Sequence, residues 1–265
     1  MAGSEAAERL RARVAAVPVW FHQIDLGHGV VTPGRRGWEF DALELPPLEG
    51  KTVLDIGAWD GYFSFEAERR GASRVVALDH YVWSLDLEGW ERHQAERGAA
   101  GGPPVPAHEV PDLWQPQALP GKRGFDVARD ALDSSVDAVV ADFMEADLGS
   151  LGRFDVVLYL GVLYHMENPL AALRRLYEVT AELAVIETEA IHLPGAGERA
   201  VCEFFEGASL AGDPSNWWAP NVAALVAICR SAGFSQIRVV ADTREHAVRE
   251  RDGLERYRLV AHALR

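Results

Sequence analysis

Two apolar segments separated by a glycine turn constrain this chain more than any other feature. The first, Val53–Ile56, is followed by Gly57 and Gly61, and the second, Val75–Leu78, ends at Asp79. Apolar runs of this length predict buried strands, and the residues between them predict a helix. This order is typical of the nucleotide-binding half of a doubly wound sheet, in which the acidic residue after the second strand binds ribose hydroxyls.

The turn itself indicates which nucleotide the chain binds. Dinucleotide sites use three glycines, because backbone amides must approach a pyrophosphate closely. Counting from Gly57, the second and third of these positions hold Trp59 and Tyr62. Two bulky side chains argue against a diphosphate and favour a smaller, cationic nucleoside. We therefore predict S-adenosylmethionine (SAM) as the cofactor.

Strand and helix patterns alternate along the rest of the chain. Strands are predicted at 53–56, 75–78, 136–140, 154–160, 183–186, 237–240 and 257–261. This alternation predicts an α/β fold, a doubly wound, mainly parallel seven-stranded sheet with a C-terminal antiparallel hairpin. We expect residues 1–48 to form an N-terminal helix and an aromatic, glycine-rich lid. Residues 49–265 would form the SAM-binding domain, with a proline-rich insertion at 98–120.

The charge balance limits the partners of the chain. Asp plus Glu number 40 against 26 Lys plus Arg, which gives a net charge of −14. Proteins that bind a nucleic-acid backbone show a basic stripe, whereas the arginine pairs here are isolated. This charge balance favours a small-molecule acceptor over nucleic acid. The sequence leaves open a basic patch formed by arginines that come together only in the folded protein. Oligomeric state is also left open.

Two further patterns concern the compartment. The sequence has no run of eighteen apolar residues, so no membrane span is expected. Its two cysteines, Cys202 and Cys229, show neither a metal-ligand spacing nor a pairing signature. We therefore expect a reduced, cytoplasmic protein without a bound metal.

Taken together, the motifs resemble those of class I SAM-dependent methyltransferases over residues 50–265. The Asp-x-Gly-x-x-x-Gly turn at 55–61, then Asp79, then Asp142-Phe143 and the late hairpin follow the order of that family. The segment 161–165, Gly-Val-Leu-Tyr-His, resembles that of the tRNA wobble-uridine carboxymethyltransferase group and its small-molecule relatives.

Two departures separate the chain from the tRNA group. Those enzymes use carboxylated SAM and carry a basic residue after the tryptophan equivalent to Trp38 and an arginine before the asparagine equivalent to Asn216. Glu39 and Ser215 stand at these positions here. We expect ordinary SAM and a small-molecule acceptor. Modification of the tRNA wobble uridine remains an alternative, as does intramolecular opening of SAM by a cyclase or lyase.

The resemblance implies a set of cofactor contacts. Asp55 would orient the turn or accept from the amino group of SAM, His80 would line the adenosine side, and Asp142 with Phe143 would bracket adenine. The full predicted set is Asp55, Gly57, Ala58, Trp59, Gly61, Asp79, His80, Asp142, Phe143, Leu160, Gly161, Tyr164 and Trp38.

Three residues are candidates for catalysis: Tyr164, His165 and His22. Tyr164 would face the sulfonium or bond the carboxylate of the cofactor, and His165 would act as a general base near neutral pH. The alternative is that Tyr164 packs under the next helix and His165 bonds a loop carbonyl. His22 lies in the segment 17–40, which we expect to close over the cofactor opposite residues 216–218.

Overall fold

One mixed sheet organises the molecule, a computed structural model that describes residues 2–36, 40–100, 102, 105–250 and 253–265. In spatial order its strands are β3 (Asp137–Val140), β2 (Arg74–Asp79), β1 (Thr52–Ile56), β4 (Phe154–Leu160), β5 (Thr180–His192), β10 (Glu255–Leu264) and β8 (Gln236–Asp242). A short strand, β9 (Val248–Arg249), pairs with β10, while β6 (Cys202–Phe204) and β7 (Trp218–Pro220) form a separate pair.

The pairing directions match the predicted fold. Strands β3, β2, β1, β4 and β5 pair in parallel, whereas β10 pairs antiparallel with both β5 and β8. The prediction of a doubly wound, mainly parallel sheet with a C-terminal antiparallel pairing is confirmed. Chain order reverses between β1 and β4, and in open α/β sheets ligands bind outside the strand ends at such a switch point.

Helices cover both faces of the sheet. They are α1 (Ala2–Ala15), α2 (Tyr62–Arg69), α3 (Leu87–Ala99), α4 (Arg123–Ala131), α5 (Pro169–Val179) and α6 (Val222–Ala232). Apolar residues of α1, α2 and α4 share one core cluster with Val53, while those of α5 and α6 share the other with Leu54. Adjacent residues of β1 thus face opposite layers, which explains why a parallel strand is apolar throughout.

Asparagine side chains cap two of the helices. The Asn168 side chain accepts a hydrogen bond from Ala171 N at 3.0 Å, and Pro169 occupies the first helical position of α5. Asn221 caps α6 in the same way, accepting from Ala224 N at 2.8 Å. These capping bonds satisfy amides that have no partner inside the helix.

Two segments differ from expectation. Strand β5, predicted at 183–186, runs from Thr180 to His192, because β10 pairs with it residue by residue as far as His192. The proline-rich insertion predicted at 98–120 begins inside α3, which ends at Ala99, and contains a short 3₁₀ turn at Ala107–Glu109. Across the part of the chain that the structure describes, none of the helices could span a lipid bilayer.

Candidate active site

The glycine turn lies at the switch point between β1 and β4. Gly57 and Gly61 have φ angles of +77° and +86°, and Trp59 also takes a positive φ of +47°. A side chain at Gly57 would place its Cβ 2.7 Å from Val162 Cγ2, in the loop after β4. Glycine at position 57 therefore lets the loops after β1 and β4 approach each other closely.

Asp79 holds this turn from the end of β2. Its carboxylate accepts hydrogen bonds from Trp59 N at 3.0 Å and from Val82 N at 3.1 Å, while Trp83 Nε1 donates to Trp59 O at 2.7 Å. Burial raises the pKa of Asp79 to about 6. The carboxylate thus shapes the turn through backbone amides, and its binding of ribose stays a prediction.

Asp55 lies beside the turn as predicted, near the end of β1. It is 2% exposed and accepts from Ser64 Oγ at 2.6 Å. Burial raises the pKa of Asp55 to about 6, against the opposing effects of the Ser64 hydrogen bond and the charge of His22. Two buried carboxylates at neighbouring strand ends favour a cationic ligand, because a nearby positive charge stabilises their ionised form.

Asp60 joins the N-terminal segment to the turn, a role the sequence did not reveal. It is 1% exposed, accepts from Phe21 N at 2.9 Å and His22 N at 2.7 Å, and pairs with His22 Nδ1 at 2.6 Å. The Phe21 ring stacks on Trp59 with a centroid distance of 4.2 Å, and His22 stacks on Tyr62 at 5.2 Å. The fold therefore brings the predicted residue His22 to the glycine turn.

Tyr164, in the short 3₁₀ turn that follows β4, contacts an ion-paired arginine. Arg258 Nη1 donates to Tyr164 Oη at 3.1 Å, and its guanidinium lies 4.7 Å from the centroid of the Tyr164 ring. The same guanidinium makes two hydrogen bonds to Glu187, with Nε to Oε1 at 2.6 Å, and lies 3.6 Å from Glu189 Oε2. Burial raises the pKa values of Tyr164 and Glu189.

Gly161 lies next to this ion-paired group, where its positive φ, rather than a lack of space, favours glycine. It follows Leu160, the last residue of β4, and has a φ of +73°. A Cβ at Gly161 would meet Tyr164 Oη at 3.5 Å and the Arg258 guanidinium at 3.6 Å. Leu160 and Gly161 thus lie at the predicted strand end, next to Tyr164.

His165 bonds a segment that lies fifty residues later in the chain. Its Nδ1 is 3.1 Å from Ser215 O and 3.0 Å from Ser215 Oγ, and its ring is 4.3 Å from that of Tyr164. Trp217 N donates to Tyr164 O at 2.8 Å. Burial lowers the pKa of His165, so the imidazole is neutral near pH 7.

The three residues predicted to contact the base side of adenosine, His80, Asp142 and Phe143, have different surroundings in the structure. His80 meets Trp114 of the insertion edge to face at 5.3 Å, which puts an aromatic wall beside the end of β2. Asp142 accepts from Met144 N at 2.7 Å and so caps a turn. Phe143 is 6% exposed and belongs to the core, which leaves its ring little surface for an adenine. Their contacts with adenine stay predictions.

The structure describes only part of the segment 17–40, which is predicted to close over the cofactor. Trp20 is 7% exposed and bonds Val14 O through Nε1, so it packs in the core. Trp218, which is expected to form part of the opposite wall, donates from Nε1 to Glu167 O at 3.1 Å. Trp38, a predicted cofactor contact, lies outside the described residues. Closure over a cofactor stays a prediction.

The residues around the turn fit SAM on two observations. The Nε1 donor of Trp59 is buried and has no hydrogen-bond partner among the described residues, so a donor is spare at the turn. The buried carboxylates of Asp79, which bonds the turn backbone, and of Asp55, in the strand just before the turn, match a ligand with a positive charge. In the described part of the chain, no group of three or more His, Cys, Asp or Glu side chains is arranged to hold a metal ion.

The sheet order and the glycine turn at its switch point define a class I SAM-dependent methyltransferase domain. A family profile described as methyltransferase domain matches residues 39–236, more than half of the chain, and the chain belongs to this family. SAM is the cofactor of this class, in agreement with the sequence prediction.

Similar proteins of known name fall into two groups. The chain is 28% identical over 84% of its length to a tRNA U34 carboxymethyltransferase of Shewanella putrefaciens, and 26% identical over 81% to one of Chromohalobacter salexigens. It spans only 56% and 54% of those two proteins. Among solved structures, the N-terminal domain of EvdMO1, in the presence of SAH and D-fucose, aligns with a TM-score of 0.61 and 18% identity, covering 98% of this chain and 96% of that one.

Proposed function

We propose that this methyltransferase domain transfers a methyl group from SAM to a hydroxyl group of a small, non-anionic acceptor. The acceptor would bind beside Tyr164, where β4, β5 and β10 meet. The observation that carries the proposal is the pairing of Arg258 with two carboxylates, Glu187 and Glu189. When bound, SAM supplies an electrophilic methyl group on a sulfonium cation.

This pairing determines which ligands the site favours. A carboxylated SAM or an RNA phosphate needs a cation that is available to bind it. The Glu187 side chain is only 3% exposed, and removing one partner of a buried ion pair costs about 3–5 kcal/mol. With two carboxylates to one guanidinium, the group disfavours anions and suits hydroxyl groups or cations.

The residues of the chain would divide the work of methyl transfer. The turn at Gly57–Gly61 and the buried carboxylates of Asp55 and Asp79 would hold the cationic cofactor, and Tyr164 would orient the acceptor. His165, neutral near pH 7, would accept the proton of the hydroxyl. Alignment of acceptor, methyl carbon and sulfur would supply most of the rate enhancement.

The compared proteins support two candidate acceptors. D-fucose, named in the EvdMO1 structure, is a small molecule with several hydroxyl groups and agrees with the main proposal. The curated relatives act on tRNA U34, which makes tRNA carboxymethylation the second candidate. Because the chain spans little more than half of those relatives, their activity is a candidate for it and no more.

Calorimetry with SAM and with carboxylated SAM tests the cofactor part of the proposal. We expect SAM to bind at least about tenfold more tightly, a difference of about 1.4 kcal/mol. Glu189→Gln leaves Arg258 with one carboxylate and should narrow that preference. Tighter binding of carboxylated SAM by the unaltered protein would contradict the proposal.

Mass spectrometry of the products tests the acceptor part. The protein is incubated with SAM and a set of sugars, with carboxylated SAM and unmodified tRNA, and with SAM alone. We expect a methylated sugar-like product. Carboxymethylated tRNA would establish the second candidate, and methylthioadenosine formed without an acceptor would establish the cyclase or lyase alternative.

A further inference from the structure

A chain of hydrogen bonds links His165 to a carboxylate in the segment before β7. Ser215 Oγ donates to Asp213 Oδ1 at 2.7 Å, and Ser215 N donates to the same oxygen at 2.8 Å. Ser215 Oγ and Ser215 O both lie within hydrogen-bond distance of His165 Nδ1, at 3.0 and 3.1 Å. Asp213, Ser215 and His165 therefore form one connected series.

The donors and acceptors in this series determine the tautomer of His165. An ionised carboxylate only accepts, and so does a backbone carbonyl. The single hydroxyl proton of Ser215 points to Asp213, so its oxygen can only accept from His165. Both partners of His165 Nδ1 are thus acceptors, and Nδ1 must carry the proton. The remaining nitrogen, Nε2, keeps the lone pair and bonds no described residue.

We propose that Ser215 and Asp213 are positioning residues that hold His165 as the Nδ1–H tautomer and so present Nε2 as the base for the acceptor hydroxyl. The inference rests on the proposed function. Nε2 takes the hydroxyl proton as the oxygen forms a bond to the methyl carbon. The bond between that carbon and sulfur breaks with its electron pair on sulfur, and the proton later passes from His165 to water.

Charges around His165 suit this role. Burial lowers its pKa and keeps Nε2 unprotonated at neutral pH, and Arg258 acts in the same direction. Asp213 raises the pKa, so its charge stabilises the imidazolium that forms after proton transfer. The arrangement resembles the way an aspartate orients a catalytic histidine, with a serine hydroxyl placed between the two groups.

Nuclear magnetic resonance of isotope-labelled histidine tests the tautomer without any acceptor. We expect the unaltered protein to show His165 as Nδ1–H. Asp213→Ala releases the Ser215 hydroxyl to donate to Nδ1, so the Nε2–H form should appear. Ser231→Ala, at a serine whose hydroxyl bonds Ala227 O within α6, should leave the spectrum unchanged. An Nε2–H form in the unaltered protein would overturn the proposal.

Kinetics test the consequence for methyl transfer. Ser215→Ala should lower kcat about 10- to 100-fold, within the range of general-base effects, with SAM affinity unchanged by calorimetry. Ser215→Thr keeps a hydroxyl and should restore most of the rate. Asp213→Asn should lower the plateau of kcat and move the acidic limb of its pH profile to lower pH, because Asp213 no longer raises the pKa of His165.

A double-mutant cycle separates positioning from general damage. His165→Gln removes the base, so adding Ser215→Ala to it should cost nothing further. Additive losses would show that Ser215 acts independently of His165 and would overturn the proposal. If no acceptor is methylated but the tautomer responds as expected, the proposed function fails while the positioning role of Ser215 stands.

Discussion

At the scale of single residues, Asp60 fastens the N-terminal segment to the glycine turn. Asp60 is 1% exposed, and its carboxylate accepts hydrogen bonds from two backbone amides and pairs with His22. Hydrogen bonds to a charged group contribute about 1.5–3 kcal/mol each, and a buried donor left unpaired adds a penalty. We therefore expect Asp60→Asn to lower the free energy of unfolding by about 3 kcal/mol, measured by urea denaturation.

The control for Asp60→Asn is a surface aspartate. Asp130 pairs with Arg13 at 2.9 Å, but both side chains are about half exposed or more. Surface pairs contribute about 0–1 kcal/mol, so Asp130→Asn should change stability by less than about 1 kcal/mol. Equal losses in the two variants would contradict the fastening role of Asp60.

The buried carboxyl of Asp55 predicts a dependence of stability on pH. Its pKa is raised to about 6 from an ordinary 3.8, so the folded state binds its proton more tightly than the unfolded chain does. The stability that this tighter proton binding adds is fully present below pH 3.8, the pKa in the unfolded chain, and is lost as pH rises through about 6, the pKa in the folded state. The stability of Asp55→Asn relative to the unaltered protein should therefore increase by up to about 3 kcal/mol from about pH 4 to about pH 6.5.

Asp155→Asn provides the control for this pH dependence. A hydrogen bond from Thr52 N lowers the pKa of Asp155, so the shift has the opposite direction to that of Asp55. The difference in the free energy of unfolding between Asp155→Asn and the unaltered protein should therefore not show the change with pH that is expected for Asp55→Asn. Urea denaturation at several pH values measures the free energy of unfolding of both variants and of the unaltered protein. Replacing a carboxyl with an amide also changes stability by an amount that does not depend on pH, so the test is how each difference changes with pH.

The sequence predicts some site residues and misses others for a physical reason. Gly57 and Asp79 belong to a local motif, in which strand, turn and strand follow one another. Asp60, Ser215 and Arg258 act through partners 38, 50 and 94 residues away. Only the folded chain brings such pairs together, and local patterning carries no signal for them.

At the scale of elements, Asn168 and Asn221 both cap a helix but differ in how many hydrogen bonds their side chains make. Asn168 makes one capping bond at the start of α5 and is exposed. Asn221 caps α6, also accepts from Val201 N at 3.1 Å, and donates to Arg199 O at 2.8 Å. We expect Asn168→Ala to cost about 1 kcal/mol and Asn221→Ala about 2–3 kcal/mol.

Equilibrium unfolding in urea measures both losses, and each variant serves as the other's control. Replacing either asparagine with aspartate keeps the capping acceptor and should recover most of the loss at α5. At α6 aspartate cannot donate to Arg199 O, so recovery should be incomplete. Equal costs for the two alanine variants would show that the bonds linking Asn221 to residues 199 and 201 add little.

Element ends were less predictable than element types. Apolar runs located β1, β2 and β4 within one or two residues. The length of β5 depends on its partner β10, which pairs with it beyond the last residue bonded to β4. A strand extends as far as a neighbour satisfies its backbone, and the sequence of that strand alone does not contain this information.

At the scale of the whole molecule, the alternating pattern predicted the sheet, because parallel strands need helical crossovers on its faces. The place of the N-terminal segment was harder to predict. Ala7, Leu10 and Val14 share a core cluster with Val53 of β1. Removing residues 1–40 would therefore disturb folding as well as any lid, so substitutions such as Phe21→Ala test closure more directly.

The charge of the whole molecule separates the two candidate acceptors. The net charge is −14, and many of the arginines pair with carboxylates: Arg13 with Asp130, Arg70 with Asp41, Arg238 with Glu44, Arg244 with Asp242, and Arg256 with Glu203. Paired arginines release few counterions from a nucleic acid, so the electrostatic part of RNA binding should be weak.

We therefore expect tRNA to bind this domain more weakly than about 0.1 mM at physiological salt, the weak end of non-specific binding. Filter binding over a series of salt concentrations measures the affinity, and SAM affinity over the same series, expected to change little, is the control. Each phosphate contact contributes about 0.7–0.9 to the slope of log K against log salt. A slope of about −3 or steeper with micromolar affinity would require a basic surface of several arginines, and it would favour tRNA over a small acceptor.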